Sequence, residues 1–211
     1  PEAAEGIDPV KGSLGQRIWA NLLVNSYFFG GIALGSTFFY ALQYAAQASW
    51  STVFMRLFSA ISTFLPIGFG LILIIFIAGR MGLHHIYEWQ TYMFHNEGHE
   101  VDKFIDHKSP YFGDLFFWSR TLVFLLGYYW YQRWSRKNAL AEDMMRSGAD
   151  TARNWNLNLK NAAIFLVFFG FTSSVMSWDV IMSIDTHWYS TLFGWYNFAG
   201  WWLGAIIVSN L

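Results

Sequence analysis

Residues 161–183 read "NAAIFLVFFGFTSSVMSWDVIMS". A run of about 20 mostly apolar residues is what a helix needs to cross the hydrocarbon of a bilayer. This run has that length, and Asp179 is its one ionisable side chain. Four more segments have a similar character: roughly Ile18–Gln47, Val53–Ala78, Tyr111–Tyr131 and Trp188 to the end. The expectation is an all-α polytopic membrane protein with about five spans.

Composition agrees. Of the 211 residues, 55% are apolar, 21% aromatic and 13% charged. A soluble chain has about twice that charged share. Trp and Tyr gather at membrane interfaces, and this chain has 12 Trp and 11 Tyr. A net charge of −1 gives no electrostatic case for nucleic acid as a partner. The absence of cysteine excludes disulfides, cysteine-ligated clusters and c-type haem attachment on this sequence. No signal peptide is expected, because the first 17 residues mix acids and bases. The end, "GWWLGAIIVSNL", has no polar tail or helix stop, so the sequence is expected to be part of a longer chain.

The connections divide the chain. Residues 1–17 form a polar N-terminal segment. Residues 18–131 hold three spans, with an interfacial segment at 80–110. Residues 132–160 are a polar extramembranous connection, and 161–211 hold two spans. Alternation places the N-terminus, the 80–110 segment and the turn near 184–187 on one side. The turn at 47–52 and the 132–160 connection fall on the other. Arg133, Arg136, Lys137, Arg146, Arg153 and Lys160 make that second side the expected cytoplasmic one. Gly31 with Gly35, and Gly200 with Gly204, are spaced for close helix packing. Pro66 is expected to kink the second span.

Ionisable groups in such segments need a partner or water. Arg120 lies about nine residues inside the third segment. Asp114, six residues earlier, points to another helix face, so Asp179 is the candidate partner. Thr172, Asp179 and Ser183 fall on nearly one helical line, and Ser173 and Ser177 on a neighbouring one. Such a stripe serves either interhelical hydrogen bonds or a proton path. Asp185 is expected to cap the fifth helix. His187 is a candidate for proton exchange with the outer water. The stretch "GLHHIYEWQTYMFHNEGHE" (82–100) holds the weak metal candidates His84, His85, His95 and His99. Their spacing is not HExxH, Gly98 breaks a helical pairing, and b-type haem needs His near mid-depth on facing helices. No metal is therefore expected.

The blocks "PIGFG" (66–70), "HHIYEW" (84–89), "HEVDKFIDHKSPYFGDLFFWSR" (99–120) and "SWDVIMSIDTHWYSTLFGWYNFAGWW" (177–202) resemble the ActF-type subunit of Alternative Complex III, a bacterial quinol:cytochrome c oxidoreductase. The likeness covers roughly residues 65–202. Gly113 and Leu115 stand where the family has Asn and Pro. The resemblance implies an NrfD-like bundle of about ten spans, and a bacterial inner-membrane location in a respiratory electron-transport chain. It implies a scaffold and candidate proton path with no redox centre of its own. Haems c and iron–sulfur clusters would sit on partner subunits. Those partners are an ActC-like paralogue, an iron–sulfur protein, multihaem cytochromes c and a terminal oxidase, with lipids around them. Menaquinol or ubiquinol would be the substrate of the complex. Two alternatives stay open: direct quinol oxidation on this chain, as in ActC, and a transporter or pure membrane anchor.

Overall fold

The computed structural model describes residues 14–95, 103–142, 144 and 148–211. Among these there are eight α-helices and no strand. They are α1 (Leu14–Ala45), α2 (Thr52–Ile61), α3 (Leu65–Arg80), α4 (Glu88–His95), α5 (Lys103–Phe112), α6 (Asp114–Glu142), α7 (Gly148–Val180) and α8 (Phe193–Ser209). Short 3-10 turns join several of them, at Ser49–Ser51, Ser62–Phe64 and Met182–Ile184.

Three helical stretches are long and apolar enough to cross a membrane: Leu14–Ala45, Thr52–Arg80 and Gly148–Ile184, at 32, 29 and 37 residues. Among the described residues, three of the five expected spans meet both criteria. The other two expected spans are helices, but each lacks one requirement. Helix α6 has 29 residues but mixes Asp114, Arg120, Gln132, Arg133, Arg136 and Lys137 with its apolar residues. Helix α8 has 17 residues, about 26 Å at 1.5 Å each, short of a hydrocarbon layer of about 30 Å. It begins at Phe193 rather than Trp188. Tyr111, expected to open the third span, belongs instead to α5.

Pro66 does not kink a continuous helix. The chain leaves α2, makes the 3-10 turn at Ser62–Phe64 and restarts, and Pro66 stands in the first turn of α3. There its missing N–H costs nothing, because the first four N–H groups of a helix lack intrahelical partners anyway.

Helix α1 is the centre of the bundle and packs on α3, α7 and α8. Close approach explains its glycines. A Cβ on Gly31 would lie 2.1 Å from the Trp201 indole, and one on Gly35 would lie 2.4 Å from the Trp201 carbonyl oxygen. A Cβ on Gly68 of α3 would lie 2.8 Å from the Gly30 Cα. Bare backbone therefore receives a whole Trp from α8 on one side and α3 on the other. Of the second glycine pair, Gly204 faces Ile32, whereas Gly200 faces open space.

Helix α1 ends in a Schellman turn. The Ala48 N–H reaches back to the Gln43 carbonyl at 3.1 Å, and the Gln47 N–H to that of Tyr44 at 3.1 Å. Gln47 takes the left-handed conformation, φ 51°, that this turn demands. Helix α3 ends the same way around Gly82, φ 75°.

The polar stretch 132–160 is largely helical, because α6 runs on to Glu142 and α7 starts at Gly148. Asn138 stitches the two together. Its Nδ2 donates to Asn158 Oδ1 at 3.2 Å, and its carbonyl accepts from Asn154 Nδ2 at 3.3 Å. At the opposite end of the bundle, Tyr87 donates to the Val180 carbonyl at 3.0 Å, and α4 lies against the turn at 182–184. The segment after α3 and the turn after α7 thus meet at one end.

Candidate functional site

The site begins with a break. Helix α5 stops at Phe112, Gly113 intervenes, and α6 starts at Asp114. The break places Tyr111 alongside Arg120, two turns into α6. From α7, Asp179 approaches one residue before the helix ends.

Arg120 and Asp179 meet as a bidentate pair. Arg120 Nε donates to Asp179 Oδ2 at 2.9 Å, and Nη2 donates to Oδ1 at 2.9 Å. Both side chains are under 10% exposed. The Tyr111 hydroxyl donates to Oδ1 at 2.8 Å, and Arg120 Nη1 donates to the Tyr111 carbonyl at 3.4 Å. The guanidinium carbon lies 3.9 Å from the Tyr111 ring centroid and 4.8 Å from that of Phe116. Charge is balanced, the fork geometry is met, and a ring covers the cation. Burial, and then the Asp179 carboxylate, push the Tyr111 hydroxyl above its ordinary value, so it stays a proton donor. The one cavity described beside Asp179 encloses about 10 Å³, room for a single water, and is walled by Phe76, Phe124 and Met176.

The surrounding stripe is mostly engaged with its own helix. Ser177 donates to the Ser173 carbonyl at 3.0 Å, and Ser183 to the Asp179 carbonyl at 2.5 Å. Thr172 donates to the Phe168 carbonyl at 2.8 Å and also meets the Tyr128 hydroxyl at 2.6 Å. Thr172 thereby reaches another helix, α6. Ser173, buried, lies near Phe38 and Phe198 in an apolar cleft between α1, α7 and α8. Asp114 pairs with Arg80 at 3.2 Å, which leaves Arg120 to Asp179.

Asp185 is a cap, but of a turn rather than of α8. Its Oδ1 accepts from the His187 and Trp188 N–H groups at 3.0 and 3.3 Å, and the residue before α8, Leu192, makes no side-chain cap. The five residues 188–192 lengthen the connection at the expense of the helix. Thr186, buried, donates to Glu88 Oε2 at 2.8 Å, and its carbonyl accepts from Lys108 Nζ. His187 Nδ1 lies 3.7 Å from Glu88 Oε2, at nearly half exposure. The His187 imidazole therefore reaches water and also has a carboxylate beside it.

The histidines after α3 do other work. His84 Nε2 lies 2.8 Å from the Ile75 carbonyl, and His84 Nδ1 accepts from the Ile86 N–H at 3.4 Å. Those two bonds fix the neutral tautomer with the proton on Nε2. Burial holds the His84 pKa below its ordinary value, against the opposing pull of the Ile75 carbonyl. His85 Nδ1 lies 3.3 Å from Thr91 Oγ1. His95 ends α4; its side chain, and all of His99, lie outside the described residues. The donors that do converge, among the described residues, are Glu88, Asp185 and His187, within 4.8 Å of one another and all exposed.

Sequence reasoning missed Tyr111 and Glu88. Tyr111 joins the pair only because α5 stops short, and the glycine at 113 was the available signal. Glu88 meets a turn almost 100 residues away, and no local pattern announces that. No family model matches this chain, and no curated protein sequence matches it.

Proposed function

We propose that this chain is an integral membrane subunit of a quinol:cytochrome c oxidoreductase of the Alternative Complex III type. In it the chain acts as a scaffold and a candidate proton path and leaves redox chemistry to partner subunits. The family resemblance supplies the identity of the complex, the NrfD-like bundle and the bacterial inner-membrane location, and the apolar runs of the sequence supply five spans within this chain. The observation that supports the scaffold role is the closed Arg120–Asp179–Tyr111 cluster. It ties α5, α6 and α7 together with every carboxylate oxygen engaged.

The same cluster weighs against quinol oxidation at Asp179. A quinol needs a carboxylate or imidazole facing a ring-sized gap, and the space here is that of a water. A proton role would run through exchange on the Arg120–Asp179 pair, with Asp185 and His187 beyond it at the aqueous end.

Purification of the natural protein in mild detergent tests the class. Recovery with c-haem and iron–sulfur subunits is expected. Recovery alone, or in a transport-competent homo-oligomer, overturns the reading. The paired variant Arg120→Met with Asp179→Asn, which removes both charges together, tests the proton half. Fewer protons released per electron from an assembled complex is expected; an unchanged ratio removes the pair from the path.

A further inference from the structure

We infer that the cleft between α1, α7 and α8 is a binding site for a neutral, membrane-soluble molecule whose flat ring carries a carbonyl oxygen. The cleft has a volume of about 370 Å³, within the range of about 300–1,000 Å³ usual for small-molecule sites. Its back wall is aromatic. Between ring centroids, Phe38 of α1 lies 4.9 Å from Phe169 of α7 and 4.9 Å from Phe198 of α8, and Phe169 lies 5.7 Å from Phe198. Trp195, exposed, borders the cleft from α8. Gly170 leaves the wall bare on α7, where a Cβ would meet no atom within 4 Å. Rings at such spacings favour another flat ring, stacked on them or packed edge to face. Among the described residues no ionisable side chain lines the cleft. A charged ligand would therefore stand unpaired there, and a bound ring finds no proton acceptor, so the site binds without oxidising.

Ser173 is what calls for an oxygen. Its neighbours on α7, Thr172 and Ser177, donate to carbonyls of their own helix. Ser173 is 4% exposed and lines the cleft, yet its hydroxyl has no hydrogen-bond partner among the described residues. A buried hydroxyl left unpaired is costly. Ser173 stands near the middle of the apolar run 161–183, at a depth where phospholipids offer only hydrocarbon. An acyl chain in the cleft would leave the hydroxyl unpaired. A ring with a carbonyl satisfies it and covers the aromatic wall at once. The inference goes beyond the scaffold reading and does not rest on it.

The test is equilibrium dialysis of the natural protein in nanodiscs against menadione, a neutral two-ring molecule with two carbonyls, with protein-free nanodiscs as the blank. Saturable uptake above the blank is expected. Ser173→Ala is expected to weaken it about threefold to tenfold, the worth of one hydrogen bond between neutral groups. The probe 2-methylnaphthalene, which has the rings without the oxygens, is expected to bind more weakly than menadione and to ignore Ser173→Ala. Gly170→Leu, which places a side chain in the cleft, is expected to abolish the uptake of both. No saturable uptake of menadione by the natural protein overturns the site. Equal binding of the two probes, or no effect of Ser173→Ala on menadione, would mean a cleft that takes any hydrocarbon, an acyl chain included, and overturns the ligand assignment. If Gly170→Leu does not fold, Ser173→Ala with the two probes decides the question.

Discussion

Replacing Asp179 by Asn removes one negative charge and leaves Arg120 with a neutral amide. The Arg120 side chain is 8% exposed, so water cannot take the place of the lost carboxylate. Breaking a buried pair from one side costs about 3–5 kcal/mol. For a domain of this size each kcal/mol moves Tm by about 2–4 °C, so the single variant should melt roughly 6–20 °C lower. Replacing both partners with apolar residues of similar volume is neutral or stabilising in comparable cases. Arg120→Met with Asp179→Leu should therefore recover most of the loss. The assay is thermal unfolding in nanodiscs, run on the singles Arg120→Met and Asp179→Leu and on their double. If the losses of the two singles simply add in the double, the side chains act independently and the pairing argument fails.

Three further outcomes follow from the geometry. Tyr111→Phe keeps the ring over the guanidinium but deletes a hydrogen bond to a charged group, and should cost about 1.5–3 kcal/mol by the same melting assay. Gly35→Ala drives a methyl into the Trp201 backbone and should cost about 1–3 kcal/mol, whereas Gly200→Ala meets open space and should be neutral or slightly stabilising; equal effects would refute the close-packing account. Because His84 is held neutral, its contribution is complete above the ordinary His value of about 6.5 and is lost as pH falls below it, since the unfolded chain then binds the extra proton. A Tm series between pH 7.5 and 5 should fall more steeply for the natural protein than for His84→Gln; parallel curves would show that His84 does not titrate in this range.

Much of this architecture was legible in the chain itself. A run like 161–183 has few alternatives to a membrane helix, and the energetic demand of a charge inside such helices led from Arg120 to Asp179 before any geometry was known. The cluster's third member was hidden because it depends on where α5 stops, and a single glycine at 113 is a weak signal for a helix break. Asp185 was recognised as a capping residue, but the composition that follows, "THWYSTL", is compatible with either helix or turn. Only tertiary packing decides that α8 waits until Phe193. Pro66 marked an interruption, and whether that becomes a kink or a fresh helix start rests on the 3-10 turn before it. The histidines were least legible. His84 answers to two backbone groups brought near by the fold of the loop, a relation with no spacing rule.

The glycine face of α1 has a consequence for how the protein is made. Gly31 and Gly35 are shaped for Trp201, which emerges from the ribosome about 165 residues later, on the order of ten to thirty seconds at ordinary synthesis rates. Through that interval α1 has its partner from α3 but not from α8. A bare backbone groove facing lipid is an attachment point for any helix that fits, so the place must stay open until Trp201 arrives. Site-specific crosslinking of stalled nascent chains should find the residues beside Gly35 in contact with lipid or insertase until Trp201 has entered the membrane, and shielded from both afterwards.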